Sequence, residues 1–161
     1  MDHLFRPWRY AYVTSERADS GCVLCDIAAA DPSDDASAFV VHRAPHHYVV
    51  LNIYPYNTGH LMIVPFRHVA RLSDLGSDAL AEMAILAARA ETVLAETYRP
   101  DGLNVGMNLG RSAGAGIADH LHLHLVPRWS ADTNFVTVLG DARVLPEDLP
   151  ETWRKLRGRF A

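Results

Sequence analysis

The sequence predicts an α+β fold: a mostly antiparallel sheet of about five strands, with one long helix and a second helix at the C-terminal end. Three observations lead there. Short apolar runs separated by turn residues follow one another from Ala38 to Pro65. An amphipathic stretch then runs from Ser77 to about Tyr98. Extended segments resume at Leu103 and again at His120. Strands, one main helix and then strands again is the order of an α+β chain with a largely antiparallel sheet.

The elements follow in order. The first 37 residues read as irregular, with a short helical possibility at Cys25 to Ala30 and a polar break at Pro32-Ser33-Asp34-Asp35. Ala38 to His42, His47 to Ile53 and His60 to Pro65 read as strands rich in Val, Ile, Leu and Tyr. Their separators, Arg43-Ala44-Pro45 and Pro55-Tyr56-Asn57-Thr58-Gly59, carry turn chemistry, so the three form a meander. Ser77 is the expected cap of the long helix, whose apolar stripe takes Leu80, Met83, Ile85, Leu86, Ala90, Val93 and Leu94. Pro100-Asp101-Gly102 ends it. Leu103 to Leu109 is a fourth strand, Gly110 to Gly116 a small-residue loop, and His120 to Val126 a fifth strand closed by Pro127. Asn134 to Leu139 reads as a shorter extended piece and Glu147 to Phe160 as a terminal helix. No internal linker divides the chain, so 1–161 is expected to form one domain, with 1–37 as an N-terminal extension.

Composition narrows the function. Of 161 residues, 49% are apolar and 21% charged, which is enough to bury a core and unlike a disordered chain. The formal charge is −4 and the fifteen basic residues are scattered, which argues against a nucleic-acid-coating surface. A pocket for a small anion is compatible with that balance. No apolar run approaches the roughly 18–20 residues of a membrane span. Met1 to Tyr10 carries His3, Arg6 and Arg9 and lacks the apolar stretch of a secretory signal. Two cysteines do not make a disulfide scaffold. A soluble cytoplasmic protein is expected.

Most of the functional information lies in His120-Leu121-His122-Leu123-His124-Leu125-Val126-Pro127-Arg128. On a strand, His120, His122 and His124 share one face and the leucines share the other, free to pack on the long helix. Three readings apply to the histidine face: a polar surface, a metal-binding strand, or a nucleophilic imidazole flanked by two others. The loop Gly110-Arg111-Ser112-Ala113-Gly114-Ala115-Gly116 reads as a plain flexible loop or as a cradle whose backbone N–H groups approach a phosphate. Cys22-Val23-Leu24-Cys25 reads as a redox pair, as two buried thiols, or as half of a metal site. His3, His42, His46 and His47 read as surface or strand-end residues, and Arg128 as a phosphate contact or a solvated strand end.

The alternating histidines resemble the signature of the histidine triad superfamily of nucleotidyl hydrolases and transferases. The resemblance runs from about Cys22 to Phe135 and includes Asn52 to Pro65, Phe66-Arg67-His68-Val69 and Gly102 to Asn108. Pro127-Arg128-Trp129 with Asp132-Thr133-Asn134-Phe135 looks most like the bacterial diadenosine tetraphosphate phosphorylase and hydrolase branch. The resemblance implies that His122 is the nucleophile, attacking the α-phosphorus to form a nucleotidyl-histidine, with His124 at the phosphate and the leaving oxygen. It implies that His60 supports the triad, although Thr58 stands where relatives have proline. Asn108 matches the amide near the phosphate, Asn52 the group on the ribose hydroxyls, and Gly114, Ala115 and Gly116 the phosphate-facing backbone.

The resemblance also implies a structural zinc on Cys22, Cys25, His68 and His120, stapling residues 1–37 to the sheet. Gly114-Ala115-Gly116-Ile117 replaces the Gly-Gln-Ser or Gly-Gln-Thr of many relatives, so the hydroxyl they offer the leaving group is missing. The implied substrate is an adenine dinucleotide or adenylated compound, with water or inorganic phosphate as acceptor, and the implied assembly is a homodimer. Three other functions stay open at this point. They are a phosphoramidase, a nucleotide-binding module with little turnover, and a hydrolase with zinc on the histidine strand.

Overall fold

A computed structural model describes residues 21–130, 132 and 146–160. Its centre is a five-stranded sheet: β1 (Val40–Arg43), β2 (His47–Leu51), β3 (Leu61–Pro65), β4 (Gly102–Gly106) and β5 (Leu123–Arg128). The spatial order is β1-β2-β3-β5-β4, and every neighbouring pair is antiparallel. The helices are α1 (Val23–Ala29), α2 (Ser77–Tyr98) and α3 (Leu149–Leu156), with one further helical turn at Asp35–Ala38. This is the α+β architecture expected from the sequence, including the β1-β2-β3 meander. The expected strand at Asn134 to Leu139 lies outside the described residues, as do residues 1–20.

The period-two pattern of the strands divides the core in two. Val49, Leu51, Leu61, Ile63, Leu123 and Leu125 face α2, which meets them with Met83, Leu86, Ala90, Val93 and Leu94. Leu156 of α3 and Phe160 close that layer. On the opposite face Tyr48, Val50 and Val64 pack with Leu24 of α1, and Ile27 and Met62 lie against them. His122 and His124 point to this second, thinner layer because the leucines alternating with them are taken by the first.

Several local expectations are corrected. Gly76, not Ser77, is the N-cap of α2; Ser77 is its first helical residue and its hydroxyl turns to the Asp78 carboxylate. Leu80 and Ile85 are exposed, while Ala79 is buried, because the core-facing arc is narrower than the apolar stretch. β5 begins at Leu123 rather than His120. Upstream of it the Leu121 N–H bonds the Val69 carbonyl (2.7 Å), and His120 Nε2–H donates to the Pro65 carbonyl (2.8 Å). A side chain therefore occupies the acceptor that a strand partner would have used. The terminal helix is shorter than expected, capped by Asp148 accepting from the Glu151 N–H at 2.9 Å. Among the described residues no helix is long and apolar enough to cross a membrane.

The turn into β3 depends on Gly59. Its φ is +77°, and a Cβ there would lie 3.1 Å from Tyr98, 3.2 Å from Leu94 and 3.3 Å from Pro127. Gly59→Ala combines a left-handed backbone with overpacking against α2 and β5, so it should destabilise the fold by about 3 kcal/mol. Chemical denaturation measures this; a loss under about 1 kcal/mol would mean that the turn re-forms at little cost.

Candidate active site

His122 and His124 line a cleft of about 180 Å³ between the thin-layer face of the sheet and α1. His122 is only 7% exposed. Its Nδ1–H donates to the His120 carbonyl at 2.8 Å, which leaves the Nε2 lone pair as the reactive end. Burial pushes its pKa below the usual imidazole range, against the opposing pull of that carbonyl, so the ring is neutral near pH 7.

A directed chain of hydrogen bonds sets His124. The Tyr56 backbone N–H donates to His60 Nδ1 (3.1 Å), so the proton of neutral His60 sits on Nε2. His60 Nε2–H then donates to His124 Nδ1 at 2.9 Å. In neutral His124 the remaining proton must be on Nε2. Burial, reinforced by the charges of His124 and His122, lowers the His60 pKa to about 3, so this direction does not reverse near neutrality.

His60 is itself held by the end of β5. Asn57 accepts from the His60 N–H (3.2 Å) and gives its side-chain amide to the Pro127 carbonyl (2.9 Å) and to Asp132 (2.8 Å). Arg128 clamps Asp132 through Nε (2.6 Å) and Nη2 (2.8 Å) and reaches Asn104 with Nη1 (2.8 Å). That guanidinium holds the Asp132 carboxyl well below its ordinary range. Arg128 is thus part of a brace. The sequence places Asn57 in a turn and Asp132 in a motif but does not link them, because they are 75 residues apart and no spacing rule joins them.

Other candidate residues distribute around the cleft. Asn52, Asn108, Gly114 and Gly116 line it, as do the apolar Val23, Leu24, Ile27, Val50, Met62 and Ile117. The Asn52 side-chain Oδ1 accepts from the Tyr54 N–H at 2.9 Å. Ala115 turns inward instead, its N–H on the Gly110 carbonyl at 3.4 Å. Gly110 and Gly114 adopt φ of 83° and 90° around a short turn, which explains glycine at both.

His120 faces away from the cleft. Its Nδ1 lies 3.3 Å from Cys22 Sγ and 3.4 Å from Cys25 Sγ, and His68 Nδ1 lies 3.1 Å from Cys25 Sγ. All four donor atoms fall within 4.8 Å of one another, so the group can hold a metal ion. Tetrahedral coordination by thiolate and imidazole would set sulfur–nitrogen edges of about 3.5 Å. The bond from His120 Nε2–H to the Pro65 carbonyl fixes the tautomer whose Nδ1 lone pair points at the cluster.

His47 corrects the sequence reading. It is fully buried at the start of β2, with Nδ1–H donating to Glu82 of α2 at 2.9 Å. Burial pushes it toward the neutral form although Glu82 pulls the other way. His42 is half-buried and stacks on Phe160 at 5.6 Å, whereas His46 is exposed as expected.

Acid should therefore unfold this protein through its buried imidazoles. For His60 the folded pKa of about 3 lies below the ordinary 6.5, so the unfolded chain takes the proton first. The stability contributed is complete above about pH 6.5 and is lost as pH falls from there toward 3, at about 1.4 kcal/mol per pH unit. Urea midpoints between pH 7 and 4 should fall for the native chain and fall less steeply for His60→Asn. Equal slopes would mean that His60 is protonated in the fold.

Two adjacent histidines with opposed tautomers thus stand in a cleft walled by small and apolar residues, on one face of an α+β sheet. The HIT domain family model matches residues 33–131, more than half of the chain, and the chain belongs to that family. It is 47% identical over 127 residues to a Mycobacterium tuberculosis protein named AP-4-A phosphorylase, covering 79% of this chain and 65% of that protein. The chain thus spans just under two thirds of that relative's length. A HIT-like protein of Methanocaldococcus jannaschii is 29% identical, covering 85% of this chain and 99% of that one. The crystal structure of a zinc-bound histidine triad family protein from Mycobacterium smegmatis superposes with a TM-score of 0.68 at 31% identity, covering 87% and 93% of the two chains.

Proposed function

We propose that this protein is a nucleotidyl transferase or hydrolase that cleaves a nucleoside polyphosphate, with diadenosine tetraphosphate as the best candidate substrate. The observation that carries the reading is the pair of opposed tautomers. His122 offers a lone pair at Nε2 because its Nδ1–H is spent on the His120 carbonyl. His124 offers a proton at Nε2 because its Nδ1 accepts from His60. Nucleophile and hydrogen-bond donor thus stand side by side, with ring centroids 4.8 Å apart.

In the first step His122 Nε2 attacks the α-phosphorus and the bond to the bridging oxygen breaks, the polyphosphate leaving as its anion while that oxygen accepts a hydrogen bond from the His124 Nε2–H. Water or inorganic phosphate then attacks the same phosphorus and displaces His122, releasing the nucleoside monophosphate or diphosphate, and the proton of an attacking water passes to solvent. Developing charge on the phosphoryl oxygens is met by the Gly116 backbone and by Asn108, the Gly114 and Ala115 N–H groups being spent within the turn. The nucleoside occupies the apolar end of the cleft, with Asn52 at the ribose. The relative named AP-4-A phosphorylase supports the choice of dinucleotide.

The metal we assign to the Cys22, Cys25, His68 and His120 cluster is zinc. Two thiolates and two imidazoles close its coordination, so its contribution is structural. The zinc-bound M. smegmatis relative supports this assignment. We also propose a homodimer across β4, the last strand of the sheet, where Val105 and Leu109 are 53% and 48% exposed.

Product identity tests the reading. Diadenosine tetraphosphate is supplied with and without inorganic phosphate. ADP plus ATP only with phosphate is the phosphorylase outcome, and AMP plus ATP without it the hydrolase outcome. No turnover in either, with release of AMP from an adenylated amine, would replace the reading with phosphoramidase action.

A further inference from the structure

The metal cluster and the cleft share one short helix. Cys22 is the N-cap of α1 and Cys25 lies in its first turn. Val23 and Leu24, between the two cysteines, and Ile27, just beyond, form part of the cleft wall. Donors and wall residues therefore alternate along six residues, and neither set can move without the other. Three anchors fix this helix: the cluster at its start, the Tyr48 hydroxyl on the Leu24 carbonyl (2.7 Å) in the middle, and Arg43 at its end. Arg43 donates to the carbonyls of Ile27 (3.1 Å) and Ala28 (3.2 Å) and is itself pinned by Asp35 at 2.8 Å.

A helix of seven residues does not persist on its own in water, so its anchors decide where its apolar wall stands. We propose that occupancy of the Cys22/Cys25/His68/His120 cluster by zinc controls the affinity of the neighbouring cleft for the nucleoside, by fixing the α1 wall, and that Arg43 performs the same positioning from the opposite end. This rests on the nucleotide reading above and adds a coupling between two sites. The apolar wall meets the nucleoside, which is present alike in substrate and product, so the effect falls on binding more than on turnover.

Thermodynamic linkage makes the inference sharp, because coupling between two ligands is reciprocal. AMP binding to the full chain is measured by calorimetry, zinc-loaded and after chelation, and zinc affinity is measured against a competing chelator with and without saturating AMP. Metal loading is expected to tighten AMP about tenfold, and AMP to tighten zinc by the same factor. Amide exchange in α1 should quicken on chelation, with α2 unchanged. Equal AMP affinity in the two forms overturns the coupling and leaves the nucleotide reading intact, as does failure to take up zinc. Failure of AMP to bind either form overturns both. Where chelation unfolds the chain, seen by circular dichroism, the zinc-loaded Arg43→Gln variant decides: an AMP affinity about fivefold weaker supports the positioning, and an unchanged one overturns it.

Discussion

His122→Ala should lower the rate of nucleotide cleavage by about 10⁴-fold or more while leaving AMP affinity within roughly threefold of the native value. The reason is the neutral His122 imidazole in the cleft lining, whose Nε2 keeps its lone pair. His122 is 7% exposed, its Nδ1–H is committed to the His120 carbonyl, and burial keeps it unprotonated. His124 cannot take over the attack, because its Nδ1 is occupied by His60 and its other nitrogen carries the proton. Rapid mixing with excess enzyme, followed by acid quench and peptide mass analysis, should find a nucleotidyl adduct on His122 in the native protein. A variant retaining a tenth of the native rate, or an adduct elsewhere, would move the nucleophile away from this residue.

His124→Ala should divide substrates by their leaving groups. A departing polyphosphate is weakly basic and gains little from a proton donor, whereas a departing amine leaves poorly without one. The loss should be about 10²-fold on a dinucleoside polyphosphate and about 10⁴-fold on an adenylated amine. His60→Phe should show the same ordering at smaller size, because it frees the tautomer of His124 without removing the ring. Single-turnover rates on the two substrates make the comparison. Equal losses on both would assign His124 to phosphate binding rather than proton transfer. The missing hydroxyl at Gly114-Ala115-Gly116-Ile117 makes this test informative, since none of those four side chains can substitute as donor.

Much of this was legible along the chain, for reasons that differ by residue. The alternation of His120 to Leu125 is a backbone periodicity, so the division between a leucine face and a histidine face required no knowledge of partners. The cysteine pair and the glycines were likewise local signals. The helix cap was misread because Gly76 and Ser77 are both acceptable at that position, and packing rather than propensity chose between them. His47 was misread because its partner, Glu82, is 35 residues away on another element. Burial of a histidine is a property of such pairings and leaves no mark on neighbouring residues.

By itself, the sequence determined the order of the main elements, the α+β class and the residue types available for chemistry, because these follow from periodicity and side-chain inventory. Only the tertiary structure decided what each histidine does. His120 turned toward the cysteines, His122 was left with a lone pair, and His124 was left with a proton. The outcomes at His120 and His124 depend on groups from distant elements, the Pro65 carbonyl, the His60 ring and the Tyr56 N–H, and that at His122 on the folded placement of the nearby His120 carbonyl. A neutral imidazole has two nitrogens and one proton, and nothing in its own residue type says which nitrogen carries it. The hydrogen bond made by the other nitrogen makes that choice, and only the folded chain supplies that bond.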